Sequence, residues 1–224
     1  MLVISLGGSV IVPDKVDYRF LSKFRRIIKK YSRREKIVII TGGGGTFRKY
    51  MDSLEKVRLD ERTIGLVGIA TTKLNARVVA GFFNKQGEIP NSMQEVRQAL
   101  RKSNLVICGA LGFRTGTTTD GNAAEIARQF KARILVNITN VNGLYDKDPR
   151  YNKKARIIKK ISFRDFNNIA SRINFKAGQH FVLDQKAAGI IKKYRIKTII
   201  INGKNLRNLG GFFNGKKFVG TIIG

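Results

Sequence analysis

An apolar run that leads directly into four consecutive glycines constrains the fold of this chain more than any other feature. Residues 36–48 read K-I-V-I-I-T-G-G-G-G-T-F-R, and the β-branched residues 37–40 are typical of a strand buried in a parallel sheet. Glycine has no Cβ atom, so the turn can adopt positive φ angles and let another molecule approach the backbone closely. Apolar residues at helical spacing follow the turn, at Phe47, Tyr50, Met51 and Leu54.

We therefore expect a helix from Thr46 onward, with its N-terminus facing the glycine turn. Free N–H groups and the positive end of the helix dipole would point at one spot there, which predicts an anion-binding site. The alternative is a strand-to-helix turn that binds nothing, for which one or two glycines would be enough.

The N-terminal residues repeat this pattern. Residues 2–6 are apolar except for Ser5 and end in a second glycine turn, G-G-S at residues 7–9. Asp17 is a suitable N-cap for a helix with an apolar face, formed by Phe20, Leu21, Phe24, Ile27, Ile28 and Tyr31. The resulting β-α-β unit has glycine turns at the carboxyl ends of both strands, the edge at which open parallel sheets bind ligands.

Strands and helices alternate along the rest of the chain. We predict strands at 105–108, 134–138 and 197–201, an edge strand or short hairpin between 157 and 161, and an edge strand at 219–223. Helices are predicted at 62–83, 93–101, 121–130, 162–171 and 184–194. The expected buried residues of the first of these helices include Ile64, Val67, Ile69, Leu74, Val78 and Phe82. The alternation predicts an α/β fold, a three-layer α/β/α sandwich around a mostly parallel sheet, and we interpret residues 1–224 as one domain with two lobes that divide near residue 120.

Two polar loops follow predicted strands. The loop at 109–120 holds three glycines, four threonines, Arg114 and Asp120, and hydroxyls, a guanidinium and backbone amides are the groups that recognise a phosphate monoester. A plain connector would explain its turn and cap residues, but not Arg114. The loop at 139–149 carries Tyr145, which can stack on a flat ring, and either Asp146 or Asp148 can accept hydrogen bonds from that ring.

The charge balance is strongly basic, with 44 Lys and Arg against 15 Asp and Glu and a net charge of +29. Clustered cations would indicate nucleic-acid binding, but here they are spread along nearly the whole sequence, with a local peak at 153–160. We therefore predict a surface that is positively charged in general, with RNA binding as the alternative. The chain shows no signal peptide and no membrane-length apolar run, so we expect a cytoplasmic protein.

The chain lacks the sequence motifs of several common enzyme classes. The motifs G-x-x-x-x-G-K-[ST], G-x-G-x-x-G and G-x-S-x-G are absent, which argues against P-loop, Rossmann and α/β-hydrolase sites. Cys108 lies in an apolar strand and is predicted to be a core residue, and the single histidine, His180, has no Cys or His cluster near it in the sequence. Glycine turns at neighbouring strand ends instead favour phosphoryl transfer, which depends on donors and cations that hold phosphates in line.

Five motifs in this order resemble the amino acid kinase family, and within it the UMP kinases of the compact archaeal type. They are L-G-G-S at 6–9, T-G-G-G at 41–44, T-T-D at 118–120, I-T-N-V-N-G-L-Y-D-K-D-P at 138–149 and L-D-x-x-A-A at 183–188. The resemblance covers nearly the whole chain. It implies the amino acid kinase fold, transfer of the γ-phosphate of ATP to UMP with Mg²⁺, and a homo-oligomer, usually a hexamer, with neither a membrane nor a nucleic acid as the expected partner.

The resemblance also implies roles for individual residues. The acceptor-side lobe would be residues 1–120 and the ATP-side lobe 121–224. ATP would contact Gly8, Ser9, Gly44, Arg48, Thr139, Asn140, Tyr145 and Asp148. UMP would contact Gly43, Phe113, Arg114, Thr115, Gly116, Thr117, Thr118 and Thr119. The implied catalytic residues are Arg48, Lys15 and Asp120, and no side chain is expected to form a dedicated metal site.

Two positions depart from the family pattern. Many members have a lysine before L-G-G-S, where this chain has Ser5, so Arg48 or Lys15 is expected to supply the missing cation. The acid that holds the acceptor ribose is replaced by Gly65, for which Asp60 or Glu61 would substitute.

Three alternatives stay open at this point. A kinase of isopentenyl phosphate or a similar small phosphate or carboxylate is one, although such enzymes have a histidine where residues 46–48 read T-F-R. A nucleotide sensor without turnover is the second, and an RNA-binding protein is the third.

Overall fold

A seven-stranded sheet forms the centre of the computed structural model, which describes residues 1–57, 59–112, 118–149, 151–172 and 182–224. Its strands are β1 (Leu2–Leu6), β2 (Ile37–Thr41), β3 (Leu105–Cys108), β4 (Ile134–Thr139), β5 (Lys160–Ile161), β6 (Thr198–Asn202) and β7 (Thr221–Ile223). Their order in space is β3-β2-β1-β4-β6-β7-β5. Every pairing is parallel except the antiparallel pairing of β6 with β7.

Helices connect the strands. In the described part of the chain they are α1 (Gly8–Ile11), α2 (Tyr18–Ser32), α3 (Gly44–Leu54), α4 (Glu61–Phe82), α5 (Met93–Lys102), α6 (Thr119–Gln129), α7 (Phe163–Ser171), α8 (Gln185–Tyr194) and α9 (Leu206–Phe213), with a 3₁₀ turn at Glu55–Val57. Side chains of Asp17, Ser162 and Asp184 cap α2, α7 and α8, because each accepts a bond from an N–H group that has no partner inside the helix. The predicted α/β/α architecture is confirmed.

The core follows from the apolar strands. Every residue of β1, β2 and β3 is buried, as expected for parallel strands covered by helices on both faces. No helix in the described part of the chain combines the length and the apolarity that a membrane span requires.

The structure corrects four details of the sequence interpretation. Helices α1 and α9 were not predicted, and α3 begins at Gly44 rather than Thr46. Strand β7 is interior, because it pairs with both β6 and β5.

The fourth correction concerns α4, whose predicted buried residues do not form its buried face. Leu74 is 53% exposed, whereas the buried residues of α4 are Thr71, Thr72, Asn75, Ala76, Val79 and Ala80. Apolar periodicity misplaced this face because half of it is polar: Thr71 and Thr72 donate to carbonyl groups of their own helix, and Asn75 donates to the second glycine turn.

The strand order places a switch point at the middle of the sheet. Residues 1–112 contribute β1, β2 and β3 on one side, and residues 118–224 contribute β4 to β7 on the other. Successive connections therefore run in opposite directions from the β1–β4 pair. The carboxyl ends of two such strands leave a crevice between their loops, where open α/β sheets bind ligands.

Candidate active site

A polar cavity of about 270 Å³ occupies this crevice. The cavity is lined by the residues that end β1, β2 and β4 and by the start of α6. Its lining comprises Ser5, Gly7, Gly8, Ser9, Gly42, Gly43, Gly44, Arg48, Thr118, Thr119, Asp120, Asn137, Thr139, Asn140, Val141 and Val182. Segments far apart in the sequence thus meet where the strand order predicts a ligand.

The two glycine turns touch each other backbone to backbone at the floor of the cavity. A Cβ atom on Gly8 would lie 2.1 Å from the nitrogen of Gly44, and one on Gly44 would lie 2.2 Å from the carbonyl oxygen of Gly8. Gly44 also has a φ angle of +63°, which L side chains rarely adopt. Packing between the turns, besides any ligand, therefore requires glycine at both positions.

Polar groups of α4 hold the second turn in place. The Asn75 side-chain amide donates to the carbonyl oxygens of Gly42 at 2.7 Å and Gly43 at 3.0 Å. The Thr41 hydroxyl donates to the carbonyl oxygen of Thr72 at 2.8 Å. Since these groups are buried and hydrogen-bonded, displacing the turn would leave them unpaired, which is costly. The turn is therefore rigid before any ligand arrives.

Two acidic residues, Asp120 and Asp184, lie close enough for their charges to interact. Asp120 accepts a hydrogen bond from the Ser5 hydroxyl at 2.8 Å, so the residue that stands in place of the family lysine contacts a predicted catalytic residue. Asp184, which is 5% exposed, accepts hydrogen bonds from the Thr118 hydroxyl and from the N–H of Ala187. Thr118 in turn accepts from the N–H of Gly121 at 2.9 Å, as the N-cap of α6.

Burial dominates the electrostatics of this acid pair. Desolvation and the nearby charge of Asp184 raise the pKa of Asp120 from 3.8 to about 7, and the hydrogen bond from Ser5 offsets part of this rise. Both effects disfavour the ionised form of the carboxyl. A pKa raised this far marks Asp120 as a functional-site candidate.

The two predicted cations occupy different places. Arg48, on α3, lines the cavity. Lys15 is exposed and lies outside the lining, on the loop between α1 and α2. That loop packs on the glycine turn, because the N–H of Gly45 donates to the carbonyl oxygen of Val12 at 2.8 Å. The static geometry therefore places Arg48 at the cavity and Lys15 beside it.

The residues of the loop at 139–149 that were predicted to contact ATP also fall into two groups. Thr139 and Asn140 line the cavity, whereas Tyr145 and Asp148 do not. Tyr145 instead forms an antiparallel bridge with Ile157, which closes residues 145–157 into a short hairpin. Of the two alternatives predicted for residues 157–161, the edge strand is confirmed, because β5 is the last strand of the sheet. Asp146 accepts a bond from the N–H of Arg156 at 2.8 Å, so part of its carboxylate is committed to the hairpin.

Some predicted residues lie outside the described part of the chain. These are His180 and five of the residues predicted to contact UMP, namely Phe113, Arg114, Thr115, Gly116 and Thr117. The flanking residues Thr118 and Thr119 are described and line the cavity. Cys108 is fully buried, and desolvation raises the pKa of its thiol to about 12, which confirms its prediction as a core residue.

Two polar residues of the site were missed by the sequence interpretation. Asn137 lies within β4, lines the cavity and donates to the carbonyl oxygen of Val182. Asn75 anchors the second glycine turn. The signal for Asn137 was present in the sequence, because it is an uncharged polar residue inside an otherwise apolar strand, and such a group needs a specific partner. Asn75 gave no such signal, because its helix also carries exposed and charged residues.

Comparisons with known proteins agree with this geometry. Uridylate kinase of Pyrococcus abyssi is 35% identical over 217 residues, which span 96% of this chain and 96% of that protein. Uridylate kinase of Thermoplasma acidophilum is 31% identical over 223 residues, 99% of this chain and 96% of its own. The crystal structure of uridylate kinase from Archaeoglobus fulgidus has a TM-score of 0.85 at 30% identity and covers 100% of this chain and 99% of its own.

Similarity extends to a more distant structure and to a family profile. UMP kinase from Ureaplasma parvum, at 21% identity and a TM-score of 0.79, shares the fold over 99% of this chain and 97% of its own. The sequence profile of the amino acid kinase family matches residues 1–202. The chain therefore belongs to the amino acid kinase family.

Proposed function

We propose that this protein is an ATP-dependent UMP kinase, which transfers the γ-phosphate of ATP to a phosphate oxygen of UMP. The observation that carries the proposal is the polar cavity at the β1–β4 switch point, where both glycine turns, Arg48 and Asp120 converge. The similarity to uridylate kinases over nearly the whole chain supports UMP as the acceptor.

The cavity is suited to hold two phosphates in line. On the ATP side we assign Gly8, Ser9, Gly44, Arg48, Thr139, Asn140, Tyr145 and Asp148, and on the acceptor side Gly43 and residues 113–119. The N-terminus of α3 begins at the second turn, so its dipole favours the negative charge of a phosphoryl group in transfer. Arg48 supplies the positive charge at the cavity wall, whereas Lys15 lies outside the lining, on the neighbouring loop.

Asp120 is assigned a role in organising the transfer. Among the described residues that line the cavity, Asp120 carries the one carboxyl group. The hydrogen bond from Ser5 positions this group, and desolvation together with the charge of Asp184 raises its pKa. A cation or a phosphate-bound metal next to Asp120 would favour its ionised form.

Mg²⁺ is expected to arrive with ATP. No group of three or more His, Cys, Asp or Glu side chains suited to a metal is found among the described residues. Mg²⁺ is commonly held by one or two carboxylates together with substrate phosphates, and the Asp120 carboxyl fits that donor set. When bound, the ion would neutralise charge on the phosphate oxygens.

The acceptor ribose must be held without the family acid, which Gly65 replaces. Asp60 accepts bonds from the N–H of Thr63 at 2.9 Å and from its hydroxyl at 2.8 Å. This carboxylate is therefore engaged as the N-cap of α4, and Glu61, in the first turn of the same helix, is the acid we assign to the ribose.

Self-association is part of the proposal, with a hexamer as the expected assembly and the cytoplasm as the expected compartment. One face of α4 exposes Leu66 and Leu74, which are 48% and 53% accessible, with Ala70 between them. Their spacing of four residues places these apolar side chains in one stripe, and an apolar stripe at the surface is typical of a protein interface.

The test is the release of ADP from ATP and Mg²⁺ by the purified protein, with UMP, CMP, isopentenyl phosphate or no acceptor. We expect turnover with UMP at least 100-fold above the rate without acceptor. Clear binding of ATP with no turnover on UMP would overturn the proposal in favour of a nucleotide sensor. Preferential turnover of isopentenyl phosphate would identify that compound, rather than UMP, as the acceptor.

A further inference from the structure

The fold gathers basic residues that the sequence keeps apart. Five fully described segments meet at the amino-terminal edge of the sheet, opposite the active site: 29–36, 101–104, 131–133, 192–197 and 214–217. They contain fifteen Lys and Arg residues, all exposed, and one acid, Glu35. We call this surface the basic edge. It holds about a third of the 44 cations of the chain.

Main-chain hydrogen bonds define the order of these segments. The carbonyl oxygens of Lys36 and Lys197 accept from the N–H groups of Leu2 and Leu135, at 2.9 and 3.0 Å, and the N–H of Arg133 donates to Met1 at 2.9 Å. The residues that precede β2, β4 and β6 thus stand in one row beside those that precede β1. With strands about 4.8 Å apart, the row from β3 to β6 is about 19 Å long.

An aromatic cavity of about 380 Å³ opens at the middle of this row. Leu2 and Ile134, at the starts of β1 and β4, line it together with Arg133 and Lys216. The rest of its lining includes Tyr31, Phe212, Phe213 and Phe218. Ring centroids are 5.0 Å apart for Phe212 and Phe218 and 5.3 Å apart for Tyr31 and Phe213. We call it the aromatic cavity.

The charges around the aromatic cavity suit a polyanion. The Arg133 guanidinium donates to the Tyr31 hydroxyl at 2.9 Å and to Glu35 at 3.1 Å. The N-terminal ammonium also pairs with Glu35, at 2.8 Å, so the single acid of the basic edge is neutralised within the protein. Lys216 and Lys217 are exposed beside the rings.

We propose that the basic edge binds single-stranded nucleic acid, with a base stacked in the aromatic cavity and the backbone phosphates along the flanking lysines and arginines. Aromatic rings within a cationic groove are the combination that such ligands require, because bases stack on rings while cations neutralise phosphates. The volume of the aromatic cavity lies within the range of about 300–1,000 Å³ that is usual for small-molecule sites. The surface lies at the opposite end of the strands from the polar cavity, so this activity is separate from phosphoryl transfer.

The first experiment uses charge reversal with a matched control. Binding of a fluorescent 12-nucleotide single strand is measured by anisotropy at several salt concentrations for the wild type, for Lys216→Glu/Lys217→Glu and for Lys153→Glu/Lys154→Glu. The control pair is also adjacent and exposed and lies outside the basic edge. We expect a loss of tenfold or more for the first variant and less than twofold for the control. At about 0.7 per phosphate contact on a single strand, the loss of two lysine contacts should make the slope of log K against log salt shallower by about 1.4, for the first variant only.

The second experiment reads the aromatic cavity directly. The chain has no tryptophan, so Phe218→Trp introduces a single tryptophan, which can be excited selectively, at the aromatic cavity. Tyr151→Trp places one elsewhere, at a site that is 86% exposed. Stacking of a base should quench the tryptophan fluorescence of the first variant and leave that of the second unchanged. Equal losses in both charge-reversal variants, absence of quenching in Phe218→Trp despite binding, or equally tight binding of a duplex of the same length would each overturn the proposal.

Discussion

Replacing Asp120 by Asn should stabilise the protein and abolish its proposed activity. The carboxyl is held beside Asp184 in a desolvated position that raises its pKa from 3.8 to about 7. Because the folded protein binds this proton more tightly than the unfolded chain, stability is lost as the pH rises from about 4 to about 7. Asn keeps an oxygen that can accept from the Ser5 hydroxyl at the observed 2.8 Å and carries no charge.

The size of the effect follows from the pKa difference. At about 1.4 kcal/mol per pH unit, the raised pKa lowers the stability, relative to low pH, by at most about 4 kcal/mol at pH 8 and by about 1.5 kcal/mol at pH 5. The stability advantage of Asp120→Asn over the wild type should therefore grow by about 2–3 kcal/mol between these pH values. Titrating groups that the two proteins share cancel in this difference.

Urea unfolding of both proteins at pH 5 and pH 8, followed by circular dichroism, measures this difference. Ser5→Ala serves as a control with the opposite sign, since loss of its hydrogen bond should raise the pKa of Asp120 further. A stability advantage of Asp120→Asn that is the same at both pH values would refute the assignment of a desolvated carboxyl with a raised pKa. A variant that is less stable than the wild type at pH 8 would refute it as well. Kinase turnover should fall at least 100-fold in the stabilised variant, as expected where a destabilising group serves function.

Three further predictions concern the cations, the glycine turns and the assembly. Arg48→Ala should lower the turnover number at least 100-fold, whereas Lys15→Ala should cost less than tenfold, and equal small losses in both would exclude Arg48 as the missing cation. Gly44→Ala should destabilise the fold by about 3 kcal/mol or more, because its Cβ would clash with the Gly8 backbone at a φ of +63°. Its control, Gly189→Ala in α8, has no atom within 4 Å of the new Cβ and should be neutral or stabilising in thermal unfolding. Leu74→Glu should lower the sedimentation coefficient to that of a smaller assembly, and an unchanged value would remove α4 from the interface.

The sequence predicted the regular elements well because their signals are local. The strands β1, β2 and β3 and the caps Asp17 and Ser162 could be found from apolar runs and from the residue types that cap helices. Helix α9 was missed, because three glycines and asparagines in its eight residues hide the periodicity.

The site was predicted in part. Both glycine turns, Arg48, Asp120 and Thr139 are brought together at the polar cavity as expected. The buried role of Asn75 was not predicted, because its partners, the carbonyl groups of Gly42 and Gly43, are more than thirty residues away in the sequence. A polar side chain on a helix gives no indication of whether it faces water or a distant backbone group.

The sequence by itself determined the α/β architecture, the glycine turns and the kind of chemistry they serve, since strand runs, turns and family motifs are all read over short windows. Only the tertiary structure decided that Gly8 and Gly44 press against each other, that Ser5 bonds to Asp120, and that cations from five segments form one edge. These features depend on which strands become neighbours in space. Strand order results from packing of the whole chain, and no short window of sequence contains it.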